Sequence, residues 1–264
     1  MGEKHEKGNV GCWGSCTCAD HRTVRFLLGT SGEKGCHGKY QCERTGAADL
    51  FCANREKQIA YTFELSGTQT GKGQAEQMLQ ILQQQEIPAT FFATPSWIEN
   101  HRSLAIQICQ QGHEIQGLGE QAVCVEQMTA KACRKELQKI RETIGTVTEE
   151  PAVFFRIPGG EYNNEVLRTI YACGSYPVAW SVDSMDWKEY EAGELVRQLL
   201  QFCTIRDGEI LRFHGEGENT GEMVKLLHPR LKEEGYEAVT VSQMVYKDRY
   251  RMTTDGRQIP EKSK

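Results

Sequence analysis

The sequence predicts an α/β fold in which seven short strands alternate with helices, as a parallel barrel or a doubly wound sheet. Three observations predict it. From Gln58 onward, runs rich in β-branched and aromatic residues recur at regular intervals. Between them lie stretches whose apolar residues fall at three- and four-residue spacing, and glycine or proline marks the changeovers.

Gln58-Ile-Ala-Tyr-Thr-Phe63 reads as the first strand, and residues 74–85 as a helix with Met78, Leu79 and Leu82 on one face. Pro88 turns the chain into the second strand, Ala89-Thr-Phe-Phe-Ala93. A helix over 103–111 stops at Gly112 and leads to a short third strand, 113–116. Thr129 is placed to cap the next helix, in which Cys133, Leu137, Ile140 and Ile144 share a face and Gly145 supplies the stop. Residues 153–156 form the fourth strand. A helix over 163–173, closed by Gly174, precedes Tyr176-Pro-Val-Ala-Trp-Ser-Val182, the fifth. The spacing then predicts a helix over 195–202, a strand over 209–213, a helix over 222–234 ended by Gly235, and a seventh strand over 238–241. Cys52 is assigned to a strand leading into the barrel.

Residues 1–48 do not fit that scheme and are read as a separate Cys-rich extension, leaving 49–264 as the α/β domain. Six of the eleven cysteines (Cys12, Cys16, Cys18, Cys36, Cys42, Cys52) lie in the first fifth of the chain. Cys12, Cys16 and Cys18 with Cys36, His37 and Cys42 could hold zinc, but Cys-x₃-Cys-x-Cys matches no standard knuckle, and disulfides or an unstructured tail fit as well. An odd number of cysteines cannot all pair within one chain, which favours a reducing compartment such as the cytoplasm.

With 39% hydrophobic and 25% charged residues, the composition is that of an ordinary globular protein. A net charge of −5 argues against nucleic acid as a partner, because phosphate contacts draw on Lys and Arg. No run approaches the roughly 18 apolar residues of a membrane span, and the polar start Met1–Asn9 lacks the apolar region of a signal peptide.

In parallel α/β architectures the reactive groups sit where the strands end at their C-terminal side. Those exits carry Glu64 and Leu65, residues 117–122, Arg156, Asp183 and Asp186, and His214. Their order and spacing resemble the polysaccharide deacetylase (NodB-homology, carbohydrate esterase) family from about Leu50 to Pro260. Ile59-Ala-Tyr-Thr-Phe-Glu-Leu-Ser66 is similar to the family's Thr-Phe-Asp-Asp segment, and Gly112-His-Glu-Ile115 to the strand that introduces two metal histidines. Phe155-Arg-Ile-Pro-Gly-Gly160 with Tyr162 resembles its Arg-Pro-Pro-x-Gly segment. Asp183-Ser-Met-Asp-Trp187 resembles its Asp-x-x-Asp-Trp segment, and Ile210-Leu-Arg-Phe-His214 the strand bearing the catalytic histidine.

The resemblance implies a distorted (β/α)7 barrel. It implies that Glu64 stands at the base position, that Arg156 pairs with it, and that Asp186 orients and charges His214. Gly160, Tyr162, Asp183 and Trp187 are the positions implied to line a substrate groove. The family's metal, usually zinc, is held by an Asp and two His four residues apart, and here those positions read Leu65, Leu118 and Ala122. Neither leucine nor alanine offers a lone pair, so no metal cofactor is expected. His113 and Glu114 are poor substitutes because they lie on the strand rather than beyond it.

The expectation is therefore a deacetylase-like protein without hydrolysis, retaining a groove for an N-acetylated glycan of peptidoglycan or chitin type. The alternatives are an active N-deacetylase with an unusual site and a structural or partner-binding module whose groove is filled by Leu65 and Leu118. The Glu64, Arg156, Asp186 and His214 set reads equally well as an ion network kept for stability, and Trp97, Trp180 and Trp187 as core. The family's members suggest the cell envelope or spore, against the cytoplasm that the cysteines favour, and the compartment stays open.

Overall fold

The computed structural model describes residues 51–52, 57–67, 72–120, 129–149, 151–160, 162–188, 190–215, 217–253 and 256–261. The Cys-rich 1–48 segment and Ala122 lie outside the described residues.

The body is a mostly parallel sheet curled into a half-barrel and backed by helices. In chain order its elements are β1 (Phe51–Cys52), β2 (Gln58–Leu65), α1 (Lys72–Gln84), β3 (Ala89–Ala93), α2 (Pro95–Asn100), α3 (Arg102–Gln110), β4 (Glu114–Leu118) and α4 (Ala130–Ile144). There follow β5 (Phe154–Arg156), α5 (Asn164–Ala172), β6 (Tyr176–Pro177), β7 (Val182–Asp183), α6 (Ala192–Phe202), β8 (Glu209–His214), α7 (Thr220–Glu233), β9 (Glu237–Ala238), α8 (Val241–Met244), β10 (Tyr250–Met252) and β11 (Arg257–Pro260). The large sheet runs β6-β5-β4-β3-β2-β8-β7, with β9 beside β2, and all its pairings are parallel.

Local chemistry accounts for the helix starts. Thr129 and Asn163 accept from the backbone N–H groups of Ala132 and Val166, capping α4 and α5. α4 buries the expected stripe of Cys133, Leu137, Ile140 and Ile144. α2 was not anticipated, although Thr94 as cap and Pro95 in the first turn are a start signal legible in the sequence.

The fifth strand needs correction. Residues 176–182 are not one strand: β6 pairs with β5, β7 pairs with β8, and these are the opposite ends of the sheet. One extended segment cannot pair with both, so 178–181 crosses the gap as a strap. The Val178 N–H donates to Phe155 O at 2.9 Å and the Ser181 N–H to Ile210 O at 3.0 Å. The seventh strand also shrinks, to β9, because Thr240 and Gln243 form a reciprocal capping box that starts α8 within the expected strand. Cys52 does not lead into the barrel: β1 pairs with β11, which pairs with β10, in a separate three-stranded sheet.

Strand alternation sorts the core into two layers. Ile59, Tyr61, Phe63 and Leu65 face the helices and join Leu79, Phe91 and Leu211 in one buried cluster. Ala60, Phe92, Leu118, Phe154, Trp180 and Ile210 fill the inside of the curl. Glu64, Arg156, Arg212 and His214 share that inner parity, which aims polar side chains at the C-terminal mouth. No described helix is long and apolar enough to cross a membrane.

Candidate functional site

The β2–β8 register places Glu64 directly beside His214 and Thr62 beside Arg212. The Arg156 and Arg212 guanidiniums, with the Glu64 and Asp183 carboxylates, form a continuous ion network. Arg212 Nη2 donates to Glu64 Oε2 at 2.9 Å and Nη1 to Asp183 Oδ2 at 3.2 Å. Arg156 Nη1 lies 3.6 Å from Glu64 Oε1, close enough for an ion pair but too long for a hydrogen bond.

Arg156 is wholly buried, and its hydrogen bonds go elsewhere than expected. Nη1 donates to Thr62 Oγ1 at 2.9 Å, Nε to Val178 O at 3.3 Å and Nη2 to Ala179 O at 2.9 Å. It therefore satisfies two carbonyls of the strap that closes the sheet, while its guanidinium stacks 3.9 Å from the Phe92 ring centroid. Burial pushes its pKa down to about 9, opposed by Glu64 and reinforced by Arg212, so it stays cationic at neutral pH.

Asp186 is almost fully buried, and its carboxylate ties its own loop to the β8 exit. Its carboxylate accepts from the His214 N–H at 2.9 Å, from Ser184 Oγ at 2.7 Å and from Thr220 Oγ1, and it lies 2.9 Å from His214 Nδ1. With Nδ1 facing the carboxylate, the outer nitrogen of the half-buried His214 ring is turned to the mouth. Asp183 takes the Met185 N–H at 2.9 Å in addition to Arg212. Trp187 is 59% exposed, so it is a rim aromatic rather than core, whereas Trp97 and Trp180 are buried.

Gly160 and Tyr162 line a small pocket with Ile157, Pro177, Val178 and Ala179. Gly160 has φ 76°, and a Cβ there would stand 2.9 Å from Trp180 Cη2, so glycine is required for both backbone and space.

Arg212 is the residue that sequence reasoning missed. Its signal was period two: on β8, Ile210, Arg212 and His214 fall on one face, so a charge at 212 had to point inward with the histidine. Its guanidinium lies 4.0 Å from the Trp180 ring centroid.

The residues standing at the metal positions do not fit a metal. Leu65 is fully buried in the helix-facing cluster, and Leu118 is buried on the inner side against Phe92 and Trp180. They lie on opposite layers and offer no donor. This also corrects the expectation that both leucines fill one groove: Leu118 does so, while Leu65 packs outward. Among the described residues no group of three or more His, Cys, Asp or Glu side chains is placed to hold a metal ion. His113 is buried against Phe91, with burial lowering its pKa to about 4, and Glu114 accepts from Thr90 and from the start of α8, so neither points to the mouth.

A family model described as polysaccharide deacetylase matches residues 53–178. The chain is 28% identical over 210 residues to a peptidoglycan-N-acetylglucosamine deacetylase of Bacillus cereus, covering 78% of this chain and 96% of that protein. It is 27% identical over 175 residues to the uncharacterized protein YlxY of Bacillus subtilis, covering 66% of this chain and about half, 54%, of that one. Among solved structures, a wild-type CE4 family pseudoenzyme from Bacillus anthracis superposes with a TM-score of 0.68 at 22% identity, over 76% of this chain and 69% of that one. A mutant of the same pseudoenzyme, described as having restored enzymatic activity, gives 0.69 at 23% identity, over 76% and 71%. The family model, the related sequences and the shared half-barrel agree: residues 53–178 match the polysaccharide deacetylase family, and the fold around them is similar to that of its solved members.

Proposed function

We propose that this chain is a non-hydrolytic polysaccharide deacetylase-like protein that binds N-acetylated glycan, of peptidoglycan or chitin type, at the mouth of its half-barrel. The observation that carries this reading is the chemistry at the metal positions, where Leu65 and Leu118 are buried hydrocarbon in two different layers. In this family's reaction a metal both polarises the acetamide and lowers the pKa of its bound water to about 7, a change of about 12 kcal/mol in the ease of forming hydroxide. A general base alone contributes roughly 10² to 10⁴ in rate, about 3 to 5 kcal/mol, which does not close that gap. Glu64 is in any case engaged by two guanidiniums.

Support for retained glycan contact comes from Trp187, an exposed ring one residue after the Asp186 that holds His214, and from the half-buried His214 imidazole. Relatives named as peptidoglycan deacetylases point to the cell envelope as the place of action. A second reading, a structural module that binds no sugar, is favoured by the filled interior around Leu118, Trp180 and Arg212.

Acetate release and glycan titration test these readings together. With zinc supplied, the protein is expected to release no acetate above buffer from N-acetylglucosamine oligomers, while the same oligomers bind with micromolar to millimolar affinity. Zinc-dependent acetate release would overturn the non-hydrolytic reading. Absence of binding would leave the structural module.

A further inference from the structure

The polar floor of the mouth holds a feature that the missing metal donors do not explain. Arg212 is clamped from three sides: by Glu64 at 2.9 Å, by Asp183 at 3.2 Å and by the face of Trp180 at 4.0 Å. Its side chain is 15% exposed, Glu64's 9% and Asp183's 26%, so the clamp lies mostly below the surface. Because Glu64 and His214 are neighbours in register, a group presented to both must rest on the layer just beneath them. On β8 that layer is Arg212, two residues before His214 and on the same face.

An acetamide needs there a neutral space for its methyl group, with a carboxylate oxygen free to take the proton of the water that attacks its carbonyl carbon. It would meet instead a cation whose hydrogen bond occupies Glu64 Oε2 and whose guanidinium carbon lies over the Trp180 ring that would otherwise offer the apolar wall. The Leu118 side chain fills the same inner cluster as Trp180.

We infer that Arg212 is a built-in plug: its guanidinium occupies the seat that the acetamide of an N-acetyl sugar would take beside Glu64 and His214, so glycan contact is confined to the rim formed by His214 and Trp187. The inference rests on the proposed glycan-binding reading and deepens it, because it states which part of the sugar is touched. Loss of hydrolysis then has two independent causes, absent donors and an occupied seat.

Saturation-transfer NMR with tri-N-acetylchitotriose tests this on the whole chain, comparing wild type with Arg212→Leu and Arg212→Lys. In the wild type the ring protons are expected to saturate more than the acetyl methyl. In Arg212→Leu the methyl signal should rise at least twofold relative to the ring protons, while Arg212→Lys, which keeps a cation in place, should resemble the wild type. Should Arg212→Leu fail to fold, Arg212→Gln is used, which is shorter than arginine but still able to donate to Glu64. An unchanged methyl-to-ring ratio in the opened variant, or a methyl that is already the most saturated group in the wild type, would overturn the plug. Binding by the variant but not by the wild type would support the plug and refute rim binding. No binding by any of the folded proteins would overturn both readings.

Discussion

Replacing Arg156 by alanine is expected to lower the free energy of unfolding by about 4 kcal/mol or more, measured by urea denaturation. Three losses combine. The strap carbonyls of Val178 and Ala179 lose their donor, Glu64 is left to Arg212 alone, and a cavity opens against Phe92. A buried acceptor stripped of its partner costs roughly 1 to 3 kcal/mol, and domains of ordinary stability have only about 5 to 15 kcal/mol in total. The change therefore threatens folding itself. Arg156→Lys keeps the charge but not the fork that reaches Thr62 and both carbonyls, so it should cost about half as much. If Arg156→Ala costs less than about 1.5 kcal/mol, the guanidinium is not what ties the strap to the sheet. The expected size follows from residues that hold the fold closed, not from any step of hydrolysis, so this site has a reason to persist without catalysis.

Asp186→Ala is the second change with a large expected effect, about 3 kcal/mol. At roughly 2 to 4 °C per kcal/mol for a chain of this size, that is a fall in melting temperature of about 6 to 12 °C. The buried carboxylate gathers the His214 N–H, the His214 ring and the hydroxyls of Ser184 and Thr220. Thr220 can fall back on His214 O, which it already reaches at 2.9 Å, so the contributions do not add fully. The His214 N–H has no such alternative and accounts for most of the loss. Asp186→Asn retains one acceptor while turning an NH₂ group toward existing donors, and should fall between wild type and alanine. A melting temperature within about 2 °C of wild type for Asp186→Ala would show that the β8 exit is held by other contacts.

Much of this was legible in the chain. The alternation of strand and helix, the cap at Thr129, and the convergence of Glu64, Arg156, Asp183, Asp186 and His214 on one face all follow from spacing. What escaped was whatever depends on closure of the sheet. Residues 176–182 have the composition of a strand, and nothing local says that their two halves must reach opposite ends of the same sheet. The short β9 and the helix α2 were missed although Thr240 with Gln243, and Thr94 with Pro95, carried the signals. The charge of Arg212 is legible from strand parity alone, which puts it on the same face of the strand as His214. Leu65 and Leu118 could be seen to lack donors, but only the fold separates them into different layers.

The identity of any metal ligands decides between a site that has lost its metal and one that has rebuilt it. The purified 264-residue chain is to be loaded with zinc, desalted, and examined by elemental analysis together with X-ray absorption at the zinc edge. No zinc is expected on nitrogen and oxygen donors alone, and any zinc that remains should show sulfur neighbours from cysteines outside the half-barrel mouth. One equivalent of zinc held by nitrogen and oxygen without sulfur would contradict the reading of Leu65, Leu118 and Ala122 as a lost metal site.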